Sequence, residues 1–385
     1  MSLRKGFTRY AFSIQYHGSS HLGFAHLPKQ ENQILDDGTD LRGYRSVEGR
    51  LRDAFHSMIG SDNYENIRVS SRTDRGVHAL KNTCHVDISK RSDGNAWDTH
   101  VLRKGLNYYL SQEGAEVLKH NLKCNTEETA NSRYLYRRSR RKMDNWSFHY
   151  PMNELRILNV IGAPLMMKNK FKTHDNDQPE EVEWNVRFSA NQRTYMYRIL
   201  AGNDDMMDWA VPFEWDRSWR VLPPKPKDKK RQRKEKESAG ALDIEAMKRA
   251  AAHLLGTHDF SSFRAARCQR DSPIVTMKDL RIVAQPYGEP LLWESTGGLL
   301  GMGDNGDDMI SQQIPQLITI KVVGSAFVYH QVRNMVGALV AVGRGTIDAD
   351  DMEHILAARD RTIAPPMAPA HGLFLVDVRH DDIEL

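Results

Sequence analysis

A chain of 385 residues is long enough, at about 150 residues per domain, for two or three packed units with a sizeable core. Lys and Arg number 54 against 50 acidic residues, and the formal net charge of +4 by itself points to no class of partner. Cys84, Cys124 and Cys268 contain no C-x-x-C pair, which excludes a disulfide framework and a structural zinc site and indicates a reducing compartment, while no apolar run approaches the ~18 residues needed to span a bilayer.

Tyr10, Phe12, Ile14 and Tyr16 alternate with smaller or polar residues, which predicts a first strand with one apolar face. Ser46 is placed to cap a helix with Val47, Leu51, Ala54, Phe55 and Met58 at helical spacing and Gly60 as its stop. A strand over Ile67 to Ser71 runs into the polar turn Arg72-Thr73-Asp74-Arg75-Gly76, and a strand with Cys84, Val86 and Ile88 follows. Leu102, Leu106 and Tyr109 or Leu110 mark a second helix. Residues 113–180 show dense charge and little periodicity, and 120–155 reads as a basic insertion. Within it, residues 133–142 carry six basic side chains and no acid.

Val182, Trp184, Val186 and Phe188 alternate, as do Tyr195, Tyr197 and Ile199, which predicts two strands of one sheet. The Pro/Lys-rich stretch 222–240 reads as a linker loop, and residues 225–236 hold eight basic and two acidic side chains. Each of the two basic runs contributes +6, so the remainder of the chain is left at −8. Runs of this kind suit a polyanion, though composition alone favours a solvated loop. Asp243 is placed to cap a helix bearing Ile244, Met247, Ala251, Leu254 and Leu255. Strands over 274–284 and 316–323, a long helix from about Phe327 to Val342, a short helix near 349–358 and a final strand over Leu373 to Val378 complete the reading. Strands and helices mix without strict alternation, so the fold class is α+β with a mixed or antiparallel sheet. The expected division is an N-terminal half at 1–119, the insertion at 120–155, and a C-terminal half at 156–385 with the loop at 222–240.

Gly301-Met302-Gly303-Asp304-Asn305-Gly306 matches G-x-G-x-x-G but is followed by acids and by no helix start, so a dinucleotide site is not expected. The stretch Ser70 to Ala79 is denser in chemistry. Taken alone it reads as a surface turn in which Asp74 accepts backbone hydrogen bonds and Arg72 and Arg75 are solvated. The stretch Phe327 to Gly337 changes the balance, because Arg333 stands among the apolar Val332, Met335, Val336, Leu339 and Val340. A cation in such surroundings costs several kcal/mol unless paired, and Asp74 is the obvious carboxylate to meet it.

These residues resemble a known family. Ser71-Arg72-Thr73-Asp74 followed by Gly76-Val77-His78-Ala79 is similar to the active-site motif of the TruA family of tRNA pseudouridine synthases. Further matches follow in the family's order. They are Arg187 to Ala190, Arg193 to Arg198, Asp259 to Arg264 with Cys268-Gln269, Phe327 to Gly337, and Ala370 to Leu375. The likeness spans Tyr16 to Val376, with wording closest to the animal tRNA pseudouridine synthase-like branch. It implies the fold of that family, with two halves whose sheets and flanking helices surround a central basic cleft, and a homodimer acting on tRNA at uridines 38 to 40 of the anticodon stem-loop. It implies that no cofactor and no metal are needed, since isomerising uridine to pseudouridine admits no electron or group from outside.

By the same resemblance Asp74 is the catalytic nucleophile or base, and Arg333 is the buried arginine that keeps it ionised. Tyr195 packs on the target base, Arg72 occupies the space that the flipped uridine vacates, and Leu373 is an apolar wall of the pocket. Leu373 reads equally as a plain core residue, and Tyr197 as core. Two departures stand out: Arg75 where the family has a small residue, and Phe24 in place of a tryptophan. The competing reading is a catalytically silent tRNA-binding or RNA-chaperone protein of the same fold. The expected location is intracellular, in the cytoplasm or the mitochondrion.

Overall fold

The structure is a computed structural model that describes residues 3–26, 46–111, 154–168, 181–202, 214–222, 242–287 and 315–385. The basic runs at 133–142 and 225–236, Cys124 and the glycine motif at 301–306 lie outside the described residues. The class is α+β, as expected, with strands paired mainly antiparallel and helices packed on them. The chain divides into two compact units, Met1–Arg193 with Leu375–Leu385, and Thr194–Phe374. Among the described residues no helix is long and apolar enough to cross a membrane.

In chain order the first unit holds β1 (Phe7–Tyr16), α1 (Val47–Ile59), β2 (Tyr64–Val69), β3 (His78–Ser89), α2 (Thr99–Leu110), β4 (Leu155–Gly162), β5 (Met166–Lys168), β6 (Glu181–Glu183) and α3 (Val186–Ser189). β7 (Ala190–Ala201) starts there. β1 pairs antiparallel with β3 on one side and β4 on the other, and β2 also pairs with β3. Ser46 caps α1 by accepting the Gly49 N–H at 3.0 Å, and the helix lays Phe55 edge-on against Phe12 of β1. Both rings are fully buried, each worth about 1.5–3 kcal/mol.

Arg9 and Asp87 are direct partners across β1 and β3 and form a bidentate ion pair of 2.6 and 2.7 Å, with Arg9 4% and Asp87 0% exposed. The same guanidinium reaches Glu183 at 2.7 Å and donates to the Trp184 carbonyl at 2.6 Å. Four oxygens therefore satisfy one buried cation and tie residues 183–184 to the sheet.

The second unit holds most of β7, then β8 (Trp219–Val221), α4 (Ile244–Ala252), β9 (Gly256–Asp259), β10 (Ile274–Pro286), β11 (Gln316–Gly324), α5 (Gln331–Gly343) and α6 (Asp351–Ala358). Its strand order is β7-β11-β10-β9, with β8 pairing β7 in parallel. Asp243 caps α4 by accepting the Ala246 N–H at 2.8 Å. The last strand, β12 (Leu373–His380), continues into the first unit from Leu375 and pairs with β3.

Three local expectations are corrected. Residues 182–188 are not one strand. β6 ends at Glu183 and among the described residues pairs with β5 alone, and Val186–Ser189 makes a helical turn because the Asn185 side chain caps it at Arg187 N–H, 2.9 Å away. The alternation survives as burial, with Trp184 and Val186 inside and Phe188 44% exposed. α4 stops at Ala252, and the chain then forms β9, whose pairing with β10 outweighs the helical spacing of Leu254 and Leu255. α5 starts at Gln331 and not at Phe327, after His330 in a left-handed conformation at φ 63°.

Candidate active site

The Asp74 turn joins β2 to β3, and its backbone is held from several directions. Val77 N–H donates to the Asp74 carbonyl at 3.1 Å, and Phe24 N–H donates to the Thr73 carbonyl at 3.0 Å. Tyr16, the last residue of β1, places its hydroxyl 2.8 Å from Thr73 Oγ1, and Asn82 Nδ2 donates to that same phenol at 3.2 Å and to the Ser71 carbonyl at 2.8 Å. Gly18 N–H donates to His78 Nδ1 at 3.0 Å, and a Cβ on Gly18 would stand 2.2 Å from the Val77 carbonyl oxygen. Only glycine lets the 17–20 turn approach this closely. Arg193 closes the base of the turn, donating to the carbonyls of Ser70 at 3.3 Å and Arg187 at 3.1 Å.

Thr73 is 7% exposed and His78 1%, so the turn's anchors are buried. Asp74 itself is half-buried, and Arg72 and Arg75 on either side are exposed. A carboxylate presented at the rim by a rigid backbone and flanked by two cations is suited to an anionic substrate.

The second unit assembles the other expected residues around α5. Arg333 is half-buried, and its Nε donates to the Ala368 carbonyl at 2.9 Å while Ala368 N–H returns to the Arg333 carbonyl at 3.1 Å. The strap 364–370 can lie this close because residue 337 is glycine, where a Cβ would meet the Pro366 oxygen at 2.0 Å. Tyr195 is 7% exposed and stands edge-on to Phe327 at 5.0 Å between ring centres. Tyr197 is fully buried, as expected, and its hydroxyl donates to the Pro369 carbonyl at 2.8 Å. Burial pushes its phenol far up, against the opposite pull of the Arg333 charge. Burial also lowers the His371 imidazole, which the Ser218 backbone and Asp216 raise and Arg333 lowers further. Leu373 is 6% exposed, consistent with core as much as with a pocket wall.

Asp74 and Arg72 thus lie in the first unit, and Tyr195, Arg333 and Leu373 in the second. Sequence reasoning missed Tyr16, Thr73, Asn82 and Gly18 as the anchors of the turn, and Phe327 as the partner of Tyr195. Tyr16 carried a strand signal, but nothing local announces a contact with a residue 57 positions later. Among the described residues no group of three or more His, Cys, Asp or Glu side chains is disposed to hold a metal ion.

A family profile described as tRNA pseudouridine synthase matches residues 250–381. Over nearly the whole chain the sequence is similar to proteins named tRNA pseudouridine synthase A. That of Xanthobacter autotrophicus is 29% identical over 374 residues, 97% of this chain and 99% of the relative. That of Sinorhizobium fredii is 28% identical over 370 residues, 96% and 98% of the two chains, and that of Agrobacterium fabrum is 26% identical over 375 residues, 97% and 93%.

Proposed function

We propose that the chain, which is similar over nearly its whole length to proteins named tRNA pseudouridine synthase A, is a TruA-family tRNA pseudouridine synthase and isomerises uridine to pseudouridine in tRNA with Asp74 as the group that starts the reaction. In that change the bond from N1 to the ribose C1′ breaks, the uracil turns over, and C5 bonds to C1′. The proton on C5 is lost and N1 gains one, so atoms balance without any cofactor. A carboxylate serves this chemistry either as the nucleophile or as the base.

The observation that carries the assignment is the Asp74 turn. There the family's motif coincides with a half-buried carboxylate on a turn held by hydrogen bonds from Tyr16, Phe24 and Asn82. By the resemblance Arg333 is the family's arginine of the site, and Tyr195 offers an aromatic face to the target base, worth about 1–3 kcal/mol. Arg72 fills the gap left by the extruded uridine, and Leu373 lines the base pocket. The target is uridines 38 to 40 of the anticodon stem-loop, and the working form is a homodimer, which light scattering tests directly. A catalytically silent tRNA-binding scaffold gains no support from relatives that are all named as synthases.

The test is Asp74→Asn, with pseudouridine formation and tRNA affinity measured separately. Pseudouridine is expected to disappear while affinity stays within about threefold. Wild-type turnover in a folded Asp74→Asn protein refutes the assignment. Mapping pseudouridine at positions 38, 39 and 40 in cytosolic and mitochondrial tRNA pools identifies the site and the compartment.

A further inference from the structure

We propose that Lys104, Tyr108 and Arg156 form a second tRNA-binding pocket, one that grips an unpaired nucleotide close to the Asp74 turn. The proposal rests on the tRNA reading above and adds a place on the protein that the family motif does not include.

Lys104, Asn107, Tyr108 and Ser111 are spaced at i, i+3, i+4 and i+7, so they share one face of α2 and its C-terminal end, while Leu102, Leu106 and Leu110 are buried on another. That face stands against the start of β4, and between them lies a cavity of about 320 Å³ lined by these four residues with Leu155 and Arg156. The volume is at the lower end of the range for small-ligand sites.

Its walls are rigid. Among the described residues β4 is the outermost strand of the first unit's sheet. The Asn107 side-chain amide takes the place of a missing strand there, donating to the Ile157 carbonyl and accepting from the Ile157 N–H, both at 2.8 Å. This double bond of a side chain to backbone fixes α2 on the edge and sets Lys104 and Tyr108 beside Arg156.

The chemistry of the lining is that of an anion site with a stacking surface. Lys104 and Arg156 are exposed, and among the described residues neither side chain is engaged in an ion pair. No acid is among the six lining residues, and two like charges at one cavity favour an incoming phosphate. Tyr108 is 43% exposed, and Tyr109 meets it edge-on at 5.3 Å, which holds the ring in place. A phosphodiester against the two cations and a base on the tyrosine face together describe a single-stranded nucleotide.

Position ties the pocket to the reaction. Leu155, in its wall, pairs with Tyr16 of β1, and the Tyr16 hydroxyl is the one that anchors Thr73, next to Asp74. His17 N–H also donates to the Glu154 carbonyl at 2.8 Å. The pocket and the Asp74 turn therefore occupy the same end of the sheet, with β1 between them and neighbouring strands about 4.8 Å apart. An RNA strand entering at Asp74 passes within reach of Arg156.

The experiment measures binding of a full-length tRNA transcript to the full chain across a salt series. The variants are the double substitution Lys104→Ala with Arg156→Ala, and separately Tyr108→Ala and Tyr108→Phe. The double variant is expected to bind about tenfold more weakly at low salt, with a salt slope shallower by about 0.7 for one lost phosphate on a single strand. Tyr108→Ala is expected to lose about five- to 150-fold in affinity and Tyr108→Phe to retain it. If the wild-type chain binds and modifies tRNA while the double variant keeps its affinity and slope, this proposal falls and the enzyme reading stands. If the wild-type chain neither binds nor modifies tRNA, both fall.

Discussion

His85 is 1% exposed, beside the buried indole of Trp184, and its Nδ1 accepts the Val186 N–H at 3.2 Å. Burial first, and the Arg9 charge second, lower its pKa to about 3, whereas the unfolded chain titrates near the ordinary 6.5. Between those values the unfolded chain holds a proton that the folded chain refuses. The contribution to stability is therefore complete above pH ~6.5 and is lost as pH falls towards ~3, by up to about 1.4 kcal/mol per unit. His85→Gln is expected to be less stable at pH 7 but to show a shallower fall between pH 6 and pH 4. Urea denaturation at a series of pH values reads this, and an unchanged slope in the variant rules the mechanism out.

An element is positioned by the few contacts it cannot give up, and for α5 one of these is the approach of the strap 364–370. Gly337→Ala places a methyl group 2.0 Å from the Pro366 oxygen, a backbone atom that cannot rotate away. The expected cost is at least about 1–3 kcal/mol. Because the Arg333 side chain bonds to Ala368 on that strap, pseudouridine formation should also slow at temperatures where the variant is still folded. Calorimetry together with a rate assay tests both effects, and a variant of wild-type melting temperature contradicts the packing argument. The same reasoning explains the corrected elements. A cap such as Asn185, or a partner strand such as β10 for β9, is worth more than the periodicity of a short apolar run.

At the scale of the whole molecule, charge is segregated. The two basic runs carry +6 each and the rest of the chain −8, so the positive charge is concentrated in short segments of the sequence. Deleting residues 225–236 is expected to weaken tRNA binding at low salt and to flatten its salt dependence, while single-turnover isomerisation of bound tRNA stays nearly unchanged. Filter binding at several salt concentrations checks this, and unaltered affinity identifies the run as a spacer. Folding at this scale also joins the ends of the chain. β12 begins at residue 373 yet belongs, from Leu375 onward, with strands built from the first hundred residues.

The amino-acid order alone determined what depends on near neighbours. The helix caps at Ser46 and Asp243, the alternating faces of β1 and β3, the polar turn at Asp74 and the motif series from Ser71 to Leu375 are all set by residues within a few positions of one another. Tertiary structure alone decided which faces meet. It set the Arg9, Asp87 and Glu183 cluster, the hold of Tyr16 on Thr73, the convergence of Lys104 with Arg156, and the return of β12 to β3. The physical reason is that hydrogen-bond periodicity is a property of a segment. The choice of partner instead follows from burying surface across long loops, whose closing entropy grows only slowly with length and so leaves many pairings open until the core selects one.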